Sequence, residues 1–89
     1  MITETDKHKI LEIAKKYKAE RVFLFGSSID DNEDARDIDI AVEGIPDSVY
    51  FKFCSELIFG LSKPVDVIDL KTKSRFNELI ISEGIPIYG

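Results

Sequence analysis

Asp37 and Asp39 stand two residues apart in the run Asp-Ile-Asp-Ile-Ala-Val, and that spacing is the first sign of chemistry in the chain. On a strand, residues two apart project from the same face. Both carboxylates therefore share one face, while Ile38 and Ile40 enter the other. Two carboxylates so close repel each other unless a cation lies between them. A hard, oxygen-seeking ion such as Mg²⁺ suits the pair, and it would keep water and substrate phosphates as its other ligands. A third carboxylate, Asp66, sits inside Pro64-Val65-Asp66-Val67-Ile68-Asp69-Leu70, a stretch otherwise fit for burial. A charge there is costly unless paired or bound to metal. Three such groups from two strands could hold two metals about 3.5–4 Å apart, the arrangement used for phosphoryl and nucleotidyl transfer. Asp69 competes with Asp66 but faces the other way, nearer the strand end, and ranks second. Gly26-Ser27 completes the set: glycine admits a close approach of backbone to phosphate, and the serine hydroxyl with adjacent N–H groups can donate to its oxygens.

These groups must be held by elements, and the pattern supplies them. Thr5-Asp6 is placed to cap a helix carrying Ile10, Leu11, Ile13, Ala14 and Tyr17 at helical spacing. The β-branched and aromatic run 21–25 reads as a short buried strand that Gly26 stops. Residues 37–42 alternate as a second strand, and Gly44 and Pro46 mark a turn. A second helix opens at Asp47 or Ser48, with Val49, Phe53, Leu57 and Ile58 on one side; Gly60 and Pro64 end it. Residues 65–70 form a third strand. Thr72 caps a last helix through Phe76, Leu79 and Ile80, ended by Gly84, and residues 85–88 close as a strand. The order αβ(turn)βαβαβ predicts an α/β (α+β) domain, a small mixed sheet with helices packed on it. The short connection 28–36 makes the first two strands antiparallel neighbours.

Composition bounds what such a chain can be. Eighty-nine residues allow one domain, spanning residues 1–89, and a chain this short often leans on a partner subunit, so a homo-oligomer is open to it. An apolar content of 44% with 33% charged residues is that of a soluble globular domain. No stretch approaches the ~20 apolar residues of a membrane span, and the polar start MITETDKHKI is no secretory signal. The single Cys54 permits no internal disulfide, which fits a cytoplasmic protein. A net charge of −5 argues against non-specific nucleic-acid binding, which needs a basic face. It leaves a nucleotide substrate open, because a magnesium–nucleotide site is itself rich in carboxylates.

The motifs FGSS, RDIDIAV and VDVIDL, taken in order with the tail FNELIISEGIPIYG, resemble the minimal nucleotidyltransferases of the DNA polymerase β superfamily. The likeness runs from Val22 to Gly89. It implies Mg²⁺-dependent transfer of a nucleoside monophosphate, AMP from ATP, to an acceptor. Asp37 and Asp39 would hold the metals, one or two ions. Asp66 would complete one site and help deprotonate the acceptor hydroxyl, while Gly26 and Ser27 would hold the triphosphate. Many short chains of this kind resemble antitoxins encoded beside an all-helical HEPN toxin, which some silence by adding AMP to a tyrosine. The alternative is a catalytically weak antitoxin that acts by protein contact alone.

One stretch leaves the family pattern. The spacer 28–36 has nine residues, one fewer than usual, and family members often carry an arginine-rich, glycine-containing turn there. Here four acids (Asp30, Asp31, Glu33 and Asp34) face only Arg36. At about 4 Å a like-charge pair costs on the order of 1–4 kcal/mol depending on exposure. The expectation is weakened nucleotide affinity, or a loop that steers a basic partner. Elsewhere plainer readings hold: His8 is a solvated helix residue, Cys54 a small apolar group rather than a nucleophile, and Lys71, Lys73 and Arg75 a solvated helix start. Tyr50, Phe51, Phe53 and Phe59 exceed what one helix face needs in a small core. Core packing is the default, and an exposed aromatic stripe would mark a dimer or partner interface.

Overall fold

A computed structural model describes residues 2–29 and 37–89, so the acidic stretch 30–36 lies outside the described residues. The elements are α1 (Glu4–Lys16), β1 (Arg21–Leu24), a 3₁₀ turn (Gly26–Ile29), β2 (Ile38–Glu43), α2 (Asp47–Gly60), β3 (Val65–Asp69), α3 (Arg75–Glu83) and β4 (Ile85–Tyr88). The strands lie in the order β3-β2-β1-β4. β1 runs antiparallel to both β2 and β4, while β2 and β3 are parallel, joined through α2 as a parallel pair requires. The mixed sheet, the three helices and the antiparallel first pair are those expected from the sequence.

Strand alternation divides the apolar residues into two layers. Val22, Leu24, Ile38, Ile40 and Val42 turn toward α1 and α2, where Ile10, Ile13, Ala14, Phe53 and Leu57 are buried against them. Val65 and Val67 of β3 join this side half-buried. The opposite face carries Phe23, Ala41 and Leu70 with Ile80 of α3, and Phe25 and Ile68 at its margin. Asp39 and Asp66 have the parity of Ala41 and Ile68, so they belong to the α3 face of the sheet.

Several boundaries differ from the sequence expectation, each for a local reason. Thr3, not Thr5-Asp6, caps α1, because its hydroxyl accepts from the Asp6 N–H at 3.1 Å, the i+3 geometry of an N-cap. Asp6 then falls inside the first turn and is buried, where its carboxylate accepts from the Ser62 N–H (3.0 Å) and hydroxyl (2.5 Å). Ser74, not Thr72, caps α3 by accepting from the Asn77 N–H. In α2, Ile58 is 56% exposed rather than on the packed side. At about 100° per residue it lies roughly 140° around the helix from buried Phe53. Phe76 and Leu79 are also half exposed; they border a hollow of about 220 Å³ beside Gly26 instead of filling the core.

Candidate functional site

The register of β2 on β3 sets Asp39 beside Asp66. Neighbouring strands lie about 4.8 Å apart, and both residues point to the same face, so the two side chains leave the sheet as adjacent oxygen donors. Asp66 is exposed and Asp39 half-buried. The burial argument that singled out Asp66 in the sequence therefore does not apply, because β3 is an edge strand whose α3 face is open at that point. Its position opposite Asp39 is what keeps it a candidate. Asp37 occupies the bend just before β2 and is exposed, one step earlier along the same approach. Among the described residues, no three His, Cys, Asp or Glu side chains close on one point tightly enough to hold an ion.

The glycine of the Gly-Ser turn is tied to Asp39 in two ways. Gly26 has φ +58°, the left-handed conformation that only glycine adopts without strain. A Cβ built on it would lie 2.7 Å from Asp39 Oδ2, well inside contact distance. The backbone on either side is fastened to the same residue. The Phe25 N–H donates to the Asp39 carbonyl at 3.1 Å, and the Asp39 N–H donates to the Ser28 hydroxyl oxygen at 2.6 Å. Turn and carboxylate thus form one unit. Ser27 belongs to the 3₁₀ turn between Gly26 and Ser28; its side chain lies outside the described set.

Ser28 is the residue that sequence reasoning missed. It falls in the spacer and is 2% exposed, and its hydroxyl fixes the backbone of Asp39. A second serine directly after Gly-Ser was the available signal. Asp69, the competitor of Asp66, lies on the other face of β3, where its field reaches Tyr50 and Cys54. Its carboxylate accepts from the Lys71 N–H at 2.9 Å, closing the turn after the strand. Burial pushes both the Tyr50 phenol and the Cys54 thiol up, so Cys54 is a protonated, half-buried packing group. His8 is exposed, and no helix among the described residues is long and apolar enough to cross a membrane.

A donor set made of carboxylates alone, with two of them side by side, fits a hard divalent cation better than a soft one. The residues present therefore suit Mg²⁺. Carboxylates on adjacent parallel strands, beside a glycine turn that closes over one of them, form the candidate metal- and phosphate-binding site.

Comparison with known proteins gives the family. Residues 8–89 match the polymerase β nucleotidyltransferase family, and the chain belongs to it. No curated protein sequence matches significantly. Among solved structures, one of the toxin–antitoxin pair MntA–HepT superposes with a TM-score of 0.72 at 22% identity, covering 98% of this chain and 73% of that one. A toxin–antitoxin structure with AMP-PNP gives 0.74 at 26% identity, covering 93% and 73%. A structure of tri-AMPylated Shewanella oneidensis HEPN toxin in complex with MNT antitoxin gives 0.70 at 23%, covering 94% and 70%.

Proposed function

We propose that this protein is a Mg²⁺-dependent nucleotidyltransferase that moves AMP from ATP to an acceptor hydroxyl on a HEPN-type helical toxin, and so acts as that toxin's antitoxin in the cytoplasm. The observation that carries the reading is the Gly26–Asp39–Asp66 arrangement: a glycine whose Cβ would collide with a carboxylate that stands beside a second one on the next strand. The family of the chain, a similar structure with AMP-PNP and another with an AMPylated HEPN toxin support the choice of nucleotide and partner.

In this reading Asp37, Asp39 and Asp66 hold Mg²⁺, which when bound offsets the charge of the triphosphate and of the leaving pyrophosphate. Gly26 and Ser27 receive phosphate oxygens on the N–H groups of the turn, where the missing Cβ leaves room. Ser28 and Phe25 keep the Asp39 backbone fixed, so its carboxylate is in place before substrate arrives. Asp66, exposed on the edge strand, takes the proton of the acceptor hydroxyl. The acceptor oxygen forms a bond to the α-phosphorus, the bond from that phosphorus to the β-phosphate bridge breaks, and pyrophosphate leaves.

The test is incubation of the chain with ATP labelled at the α-phosphate, Mg²⁺ and the helical protein encoded beside it. Label should pass to that protein and vanish in the Asp37→Ala, Asp39→Ala variant. Absence of label with every common nucleotide, from a folded chain that still binds its partner, overturns the enzymatic reading. Protection of cells by the same double variant would then favour antitoxin action by contact alone.

A further inference from the structure

The outer face of α2 is the least explained surface of the molecule. Phe51 is 87% exposed and Phe59 88%, with Ile58 at 56%, whereas Phe53 and Leu57 of the same helix are fully buried. At about 100° per residue, positions 51, 55, 58 and 59 form one stripe diametrically opposite the buried line. A single exposed apolar residue is ordinary, but two almost fully exposed phenylalanines with an isoleucine between them are a patch that wants a partner.

The stripe is nearly a palindrome. Ser55 lies at its centre, with Phe51 four residues before it and Phe59 four after. The Ser55 hydroxyl donates back to the Phe51 carbonyl at 2.8 Å, so it brings no unpaired donor into an apolar contact, and its small size lets a second helix come close. We infer that this face binds a second copy of the chain, with the two α2 helices antiparallel about a two-fold axis at Ser55. Phe51 of one protomer then packs on Phe59 of its partner, twice over, as an isologous contact demands.

The flanking charges agree with that pairing. Lys52 and Glu56 lie on the same side of the stripe, and in an antiparallel pair each flank meets its own mate running the other way. Lys52 of one copy therefore meets Glu56 of the other. Glu56 is already held by Lys16 Nζ at 3.0 Å and by the Tyr17 hydroxyl, which fixes its position and leaves acceptor capacity for a further donor. Six apolar side chains, with phenylalanines of roughly 150–250 Å² each, give a buried area on the order of 1,000 Å². That is the low end for a specific interface, the size range of transient contacts. Because α2 covers the sheet face opposite Asp39 and Asp66, the pairing leaves the candidate site open and does not depend on the proposed function.

Sedimentation equilibrium of the purified chain should show the mean mass rising from the monomer toward twice its value across the micromolar range. Phe51→Glu with Phe59→Glu should remain monomeric throughout, with helicity preserved by circular dichroism. Ser55→Cys should form a disulfide-linked dimer on mild oxidation, with the bond mapped by mass spectrometry to residue 55 in both copies, while Ser82→Cys on α3 should not cross-link. A chain that stays monomeric overturns the inference, including where the face binds a different protein instead. So does a dimer that survives both glutamates, or one that forms without cross-linking through residue 55. Should the double variant fail to fold, the cross-linking result decides.

Discussion

Replacing Gly26 by alanine separates the two jobs that the structure gives this residue. The first is conformational. At φ +58° an added Cβ strains the backbone by about 1–2 kcal/mol. For a domain of this size each kcal/mol lowers the melting temperature by roughly 4–8 °C, so the expected loss is about 4–16 °C. The second job is steric. The new Cβ would lie 2.7 Å from Asp39 Oδ2, and the atom it meets is the end of a side chain. Relief therefore comes from rotating the carboxylate, which preserves the fold but turns Asp39 out of the position it holds beside Asp66. A misplacement of about 1 Å at a reacting centre can lower the rate on the order of 100-fold. Gly44→Ala is the control. Its φ is +93° and its Cβ would lie 2.9 Å from the Glu20 backbone nitrogen, so it too should lose stability, but far from either aspartate. Melting by circular dichroism, paired with AMP transfer measured below both midpoints, reads the two effects separately. Both variants should melt earlier, and only Gly26→Ala should lose transfer per folded molecule. If Gly26→Ala melts earlier yet transfers at the wild-type rate, the glycine serves the backbone alone and the reasoning about Asp39 is wrong.

Ser28→Ala removes the acceptor for the Asp39 N–H and should cost about 1–3 kcal/mol, with hydrogen exchange at the Asp39 amide faster than in the parent. Unchanged protection of that amide would show that Ser28 does not hold β2 in place. For Cys54, burial disfavours the thiolate, so the folded pKa lies above that of the unfolded chain. Alkylation by iodoacetamide should be slower in the native chain than in urea at neutral pH, and should rise only as pH passes the raised value. Equal native and unfolded pH–rate profiles would contradict this.

The sheet and helices were legible because each rests on a local pattern with a single physical cause. Alternation in residues 37–42 and 65–70 could satisfy only a half-buried strand, and Gly60 with Pro64 left α2 no way to continue. The two displaced caps show the limit of that reading. Thr3 and Thr5 are both chemically fit to cap, and so are Thr72 and Ser74; the choice depends on where the chain turns, which tertiary packing decides. The exposure of Ile58, Phe76 and Leu79 was hidden for a related reason. An apolar residue near the margin of a helical stripe reads the same whether its neighbour is a core or water. Ser28 was unreadable because its partner is a backbone N–H eleven residues ahead, and no side-chain pattern encodes such a bond.

Asp66 is a candidate for a different reason in the structure than in the sequence. In the sequence it drew notice as a charge among Val65, Val67 and Ile68, where burial would be costly. In the structure it is exposed, because β3 is the sheet's edge and α3 crosses the face elsewhere. What distinguishes Asp66 is its parallel register, which sets it against Asp39 and sends Asp69 to the opposite face near Tyr50 and Cys54. Register is non-local: it is fixed by α2 and by the hydrogen bonds from Ile38 to Pro64 and from Leu70 to Val42. A shift of one residue would place Val65 or Val67 beside Asp39 and turn Asp66 into the core. The apolar layer against α1 and α2 forbids that shift, since it would bury a carboxylate and expose two valines. The core on one face of the sheet is thus what holds the two carboxylates together on the other.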